Sequence, residues 1–313
     1  MPQIRNCRIA GYGTYLPEHV VKFGAQTRYR VSEDESQLGM LTAAARDALD
    51  RAGIKAEDVQ CIIGASAAGI QPIPCTAALV LEQLAPFGVA AAFDVNSTCT
   101  SMITALDIAS RYIADGTYES VLITAGDVGS RFLNPEQAES FSLFSDAAVA
   151  FVLTATDDPA QGVVASTQRT WAAYAHDTEI RGGLSRSPAQ MYADSDPADY
   201  LFDMNGRSAL RNMLTVLPEF LAKFLATSGL SLEDMSLVIP HQASPAITIA
   251  LRRIGIPQEQ YIDWVADIGN MVSASVGYVL AKVLEQERVR RGDTVMLFGT
   301  AAGLTANALV LRL

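Results

Sequence analysis

The feature that most constrains the fold is an internal duplication. "EDVQCIIGASA" begins at Glu57 and "EDMSLVIPHQA" begins at Glu233, an offset of 176 residues. At the same offset "AGI" at 52–54 falls on "SGL" at 228–230, Gly116 falls on Gly292, and Cys99 falls on Ser275. Agreement of separate stretches over about 60 residues points to two related halves. Each half reads as an amphipathic helix (41–52; 209–227), an apolar strand (58–64; 235–240) and a second helix (75–84; 245–254). A small-residue segment then opens a buried helix (100–114; 274–289), which ends in glycine and a strand (119–125; 294–299). Closing strands fall at 147–154 and 304–312. Helices alternating with strands predict an α/β fold in layers, with halves at 1–158 and 159–313. The non-repeating pieces are 128–145 and the Gly/Pro-rich loop at 181–200, and loops of this kind often carry function.

Half of the residues are hydrophobic and 18% are charged, so the 313-residue chain can bury a large core. The net charge of −11 argues against nucleic acid as a partner. It also means that docking of an acidic carrier protein would depend on local arginines. The start "MPQIRNCRIA" does not read as a signal peptide, and the most apolar stretch, "AALVLEQLAPFGVAAAF", carries Glu82 and a proline, so no membrane span is expected. The expectation is a cytoplasmic protein with reduced thiols. The four cysteines, Cys7, Cys61, Cys75 and Cys99, match no zinc spacing, and no metal is expected.

The chemistry-bearing residues fall at corresponding corners of the two halves. Cys99 stands in "FDVNSTCTSM" at 93–102, between a strand-like run and a helical pattern. A thiol at a helix start is expected to have a lowered pKa, and sulfur suits the exchange of one thioester for another. A lone cysteine is more often core, but two neighbouring signals argue otherwise. His241 opens "HQAS" after the buried run "LVIP", and Asn270 stands in "DIGNMVSAS" just before the second buried helix, as the counterpart of Asp94 in the first half. Strand-to-helix corners are where α/β folds collect catalytic groups. His19 and His176 read as solvated or structural, and Cys61 as strand core; Cys75, after Pro74 at a helix start, is the one rival nucleophile.

"GYGTYLP" at 11–17, "FDVNSTCTSM", "PHQAS" at 240–244, "GN" at 269–270 and "GLT" at 303–305 resemble β-ketoacyl-ACP synthase III and its relatives in the thiolase superfamily. The resemblance spans nearly the whole chain. It implies a thiolase-like five-layered αβαβα fold, a homodimer, and a ping-pong acyltransferase using acyl-CoA, acyl-ACP or malonyl thioesters without a cofactor. It further implies that Cys99 accepts the acyl group and that His241 and Asn270 bind the malonyl thioester carbonyl as CO₂ leaves. The backbone N–H groups of Cys99 and Ala301 would form a second oxyanion site. Asparagine cannot transfer protons, which favours carbonyl binding and carbon–carbon bond formation.

The chain departs from the family pattern in places. Ser244 replaces the asparagine of "HQAN", Ala301 and Ala302 replace glycines, and "FSDAAVA" at 144–150 stands for "FGDGAGA". The segment after "YLPEHV" is short by about fifteen residues. The tryptophan that stacks on adenine in relatives primed by coenzyme A, and the arginine opposite it, expected near position 138, are missing. A carrier-bound, longer or unusual starter acyl group from fatty acid or specialised polyketide synthesis fits better than acetyl-CoA. Arg207, Arg211, Arg252 and Arg253 are candidates for a phosphopantetheine carrier or CoA, and equally read as exposed helix arginines. The alternatives are an acyltransferase or non-decarboxylating condensation of two acyl chains at the same cysteine, and a non-catalytic partner of another condensing subunit.

Overall fold

The computed structural model describes residues 4–313. Ten strands form two five-stranded sheets: β1 (Arg5–Asn6), β2 (Arg8–Tyr15), β3 (Cys61–Gly64), β4 (Ala91–Asp94), β5 (Ser120–Asp127), β6 (Ala147–Thr154), β7 (Gly162–Thr170), β8 (Leu237–Pro240), β9 (Thr294–Ala301) and β10 (Thr305–Arg312). The first sheet has the order β2-β6-β5-β3-β4 and the second β1-β7-β10-β9-β8. The two orders match strand for strand from β2/β7 to β3/β8. The segment Arg5–Asn6 pairs with Gly162 and Val163, so it joins the second sheet.

Six helices make the other layers: α1 (Gln37–Ala52), α2 (Thr76–Leu84), α3 (Ser101–Ala114), α4 (Gly206–Ser228), α5 (Ile247–Arg253) and α6 (Ala274–Glu285). Strand alternation assigns their faces. On β6, Ala148, Ala150 and Val152 pack with α1, whereas Val149, Phe151 and Leu153 face a central core containing α3 and α6. On β10, Ala306, Ala308 and Val310 pack with α4 and α5, while Leu309 and Leu311 face the same central core. Three cores between five layers result, as the resemblance implies.

The central helices are rich in small residues because they lie between two sheets. A Cβ on Gly277 of α6 would sit 2.8 Å from Val149 Cγ1 and 3.3 Å from Met102 Cε of α3. Fully buried Met102, Phe151 and Phe298 each contribute roughly 1.5–3 kcal/mol through burial. Packing on every side holds the N-termini of α3 and α6, and with them the candidate site.

The structural register corrects one feature of the sequence repeat. The offset is 176 along β3 and β8, where Cys61 and Leu237 pair with Val121 and Val295, but those partners lie 174 apart. The two missing residues lie between Ala67 and Asn96 on one side and Ala243 and Asn270 on the other. Asn270 therefore corresponds to Asn96, not Asp94, and Cys99 to Ser273, not Ser275. Asn96 Oδ1 accepts from the Thr98 N–H and Asn270 Oδ1 from the Val272 N–H, at 2.8 and 2.9 Å. Thr98 and Val272 share left-handed φ values of 51° and 49°. Ser101 and Ser275, each three residues further on, accept from the Ser97 and Met271 N–H groups at 2.9 Å. Asp94 has a different task, accepting from the Thr76 and Ala77 N–H groups at the start of α2.

Candidate active site

Cys99 lies in a single 3₁₀ turn, Thr98–Thr100, that leads into α3. The Thr98 hydroxyl reaches across to the Ala302 carbonyl at 3.3 Å, which docks this turn on the end of β9 in the other half. The backbone amides of Ala302 and Cys99 both act on the sulfur, each favouring the thiolate. Ala301, the expected second amide, pairs with Thr305 at the end of the β9–β10 ladder, and the amide that acts on the sulfur is that of Ala302, one residue further on.

The expected lowering of the thiol pKa is not found. Burial pushes the Cys99 thiol up to about 12, the nearby Asp127 carboxylate adds to the rise, and the Ala302 and Cys99 amides only partly oppose it. Desolvation of the thiolate outweighs the helix end. The residue keeps some exposed surface, and at neutral pH it carries its proton.

His241 follows β8 and is 2% exposed. Its N–H donates to the Phe298 carbonyl at 2.8 Å, continuing the β8–β9 pairing. A Cβ on Gly299 would lie 2.7 Å from His241 Cβ and 3.6 Å from Thr100 Cγ2, so the histidine sits beside the turn that carries Cys99. Nδ1 is buried without a hydrogen-bond partner. Burial lowers the imidazole pKa to about 4, so the ring is neutral at pH 7 and can donate one N–H to a ligand.

Asn270 is anchored through both ends of its amide. Oδ1 accepts from Val272, and Nδ2 donates to the Ala243 carbonyl at 3.1 Å, two residues past His241. Its remaining Nδ2 proton is free. The Asn270 backbone is held as well: its N–H donates to Leu143 O and its carbonyl accepts from Ser145, both at 2.9 Å. Behind it, Gly269 has φ 71° and ψ −171°, and a Cβ there would meet Arg28 Cδ at 2.5 Å. Arg28 is fully buried and donates to the carbonyls of Thr27, Ser142, Val265 and Ala266.

Sequence reading missed Asp127, which ends β5. It is 2% exposed and accepts from the N–H groups of Ala67, Ala68 and Ser273 at 3.3, 2.8 and 3.1 Å, and from the Ser273 hydroxyl. The signal was present: a carboxylate closing the apolar run "VLITAG". Of the four candidate arginines, Arg207, Arg211 and Arg253 line one surface depression of about 420 Å³ with Leu214, while Arg252 is exposed outside it. Among the described residues no cluster of three or more His, Cys, Asp or Glu could hold a metal, and no helix is long and apolar enough to cross a membrane.

Two pseudo-symmetric halves with a thiol between their sheets define a thiolase-type condensing enzyme. The family model "3-Oxoacyl-[acyl-carrier-protein (ACP)] synthase III" matches residues 93–171, and that of its C-terminal part matches residues 225–313. The beta-ketoacyl-[acyl-carrier-protein] synthase III of Symbiobacterium thermophilum is 31% identical, with 99% of each chain covered. That of Clostridium perfringens is 29% identical over 99% of this chain and 100% of the relative. The crystal structure of the Aquifex aeolicus 3-oxoacyl-[acyl-carrier-protein] synthase III superposes with a TM-score of 0.87 at 28% identity, covering 98% of this chain and 100% of that one. The chain belongs to the 3-oxoacyl-[acyl-carrier-protein] synthase III family and is a condensing acyltransferase of that type.

Proposed function

We propose that the enzyme loads an acyl group onto Cys99 and then condenses it with a malonyl thioester, with loss of CO₂. In the first step the Cys99 sulfur attacks the donor carbonyl. A C–S bond to Cys99 forms, the donor C–S bond breaks, and the thiol proton ends on the departing thiol. The raised thiol pKa requires proton removal to accompany attack, since free thiolate is scarce. The negative oxygen formed in between is met by the N–H groups of Cys99 and Ala302.

In the second step the malonyl C–C bond breaks, CO₂ leaves, and charge builds on the thioester oxygen. The neutral His241 imidazole and the free Nδ2 proton of Asn270 donate to that oxygen. The enolate carbon attacks the acyl carbonyl, the Cys99 C–S bond breaks, and the departing sulfur takes up a proton from solvent. A neutral histidine suits this role, because a donor rather than a base is needed. The observation that carries the reading is the convergence of the Cys99 turn, the Ala302 amide and His241 around Thr100 and Gly299.

The substrates are acyl and malonyl thioesters of a carrier protein or coenzyme A. The Arg207, Arg211 and Arg253 depression would take the phosphate of either. In place of the longer segment of relatives the chain has a short hairpin, Val20–Phe23 with Gln26–Tyr29, which favours a carrier-bound starter over one held by its adenine. The cytoplasm is the proposed site of action. The free edge of β4 (Ala91–Asp94) and the exposed Ile73, Phe87 and Val89 nearby in sequence support a homodimer through this side, which light scattering tests.

Intact-mass measurement after exposure to a panel of acyl-CoA and acyl-ACP donors tests the reading. An adduct on Cys99, discharged by malonyl-CoA or malonyl-ACP with CO₂ release, is expected. An adduct that no malonyl donor discharges refutes it. Discharge by an alcohol, an amine or a second acyl chain without CO₂ identifies the other acyl-transfer reaction.

A further inference from the structure

Asp127 has no part in the reaction just described, yet it is buried at the join of the two halves. It rests on four donors: the Ala67 and Ala68 N–H groups and the Ser273 N–H and hydroxyl. Each end of that clamp leads to a reactive group. On one side the Ala67 carbonyl accepts from Asn96 Nδ2 at 2.8 Å, and Asn96 Oδ1 holds the Thr98 N–H beside Cys99. On the other side Ser273 follows Val272, whose N–H holds Asn270 Oδ1, and Asn270 Nδ2 reaches Ala243. The Ala243 N–H in turn donates to the His241 carbonyl at 2.9 Å.

The pseudo-twofold supplies a second, independent observation. At the offset of 174, Ser273 corresponds to Cys99 and Asp127 to Ala301. The Ser273–Asp127 contact is thus the counterpart of the docking of the Cys99 turn on the end of β9. One copy of the corner was left with bare backbone amides, and the other was filled by a carboxylate. A buried carboxylate is a costly choice for packing alone, and an apolar residue of similar size would fill the space. What the carboxylate adds is direction: it gathers donors from two separate turns onto one atom group.

We propose that Asp127 is a positioning residue for the condensation, tying the turn that carries Cys99 to the turn that carries Asn270 and so setting the gap between nucleophile and carbonyl-binding amide. This rests on the roles given above to Cys99 and Asn270. Asp127 is also the charged group that acts on Cys99, so its removal has a readout that a packing role lacks.

The test compares the wild-type enzyme with Asp127→Asn, Ser273→Ala and Ser273→Thr. The wild type is assayed first for loading and for CO₂ release; if it shows neither, the proposed function falls and the clamp is not the cause. With an active wild type, Asp127→Asn should still load Cys99 but release CO₂ from a malonyl thioester about 10-fold or more slowly. Its pH profile for alkylation of Cys99 by iodoacetamide should move to lower pH, because the opposing charge is gone. Ser273→Ala should lose several-fold in CO₂ release, and Ser273→Thr, which keeps the hydroxyl, should recover it. If Asp127→Asn does not fold, the two serine variants carry the test. A folded Asp127→Asn enzyme with wild-type CO₂ release, or serine variants that do not differ, overturns the proposal.

Discussion

Gly299→Ala is the sharpest probe of His241, because it touches the histidine without changing it. The added Cβ would sit 2.7 Å from His241 Cβ, where ordinary contact begins at 3.4 Å, so the pair must separate by about 0.7 Å. The histidine cannot retreat with its backbone, since its N–H is held by Phe298 O at 2.8 Å. The strain falls on the imidazole and on β9. Overpacking of this kind costs about 1–3 kcal/mol, or a drop of roughly 1.5–5 °C in Tm for a chain of this size. A shift approaching 1 Å at a carbonyl-binding group costs up to about 10²-fold in rate. On the proposed mechanism, loading of Cys99 uses the Ala302 and Cys99 amides and should fall much less. The assay pairs intact-mass loading with CO₂ release from malonyl-CoA or malonyl-ACP. Equal losses in both partial reactions would mean general damage. Wild-type CO₂ release in a variant with the expected Tm loss would show that His241 does not act on the malonyl carbonyl.

Three further outcomes follow from the site. Because folded His241 takes up its proton only near pH 4 while an unfolded histidine does so near 6.5, the native state loses stability as pH falls through that window. The loss is about 3 kcal/mol by pH 4, measured by denaturant melts, and His241→Gln should lack it. Alkylation of Cys99 by iodoacetamide should keep accelerating with pH well past 9, since the thiol titrates near 12; a plateau below pH 8 would show a stabilised thiolate. Gly269→Ala meets both a positive φ and the Arg28 side chain, so it should destabilise by about 2–6 kcal/mol. Chemical melts check this, and a loss under 1 kcal/mol would mean that the 269–270 turn is more adaptable than its contacts imply.

How much of this was legible in the sequence depends on the scale at which each feature is fixed. Strand and helix order could be read because alternation and helical periodicity are local. Strand β8 was expected at 235–240 and forms at Leu237–Pro240, and the central helix expected at 100–114 forms at Ser101–Ala114. The pairing of Cys99 with its counterpart could not be read, because a two-residue difference in a connecting segment leaves both strings plausible and only the sheet register decides between them. Thiol acidity was misjudged for a related reason: a helix start is visible in sequence, but the desolvation that outweighs it comes from layers distant in the chain. Asp127 was overlooked because its donors lie at 67, 68 and 273, in segments that mean nothing to one another until folded. The two corners also bear on which side of the pseudo-twofold would carry the proposed chemistry. At Ser273 the carboxylate consumes every donor the corner offers. At Cys99 the Ala302 and Cys99 amides have no backbone acceptor, which leaves both for the oxyanion of the proposed reaction. Hydrogen-bond accounting therefore supports the proposed acyl transfer on the Cys99 side and the proposed clamp on the other.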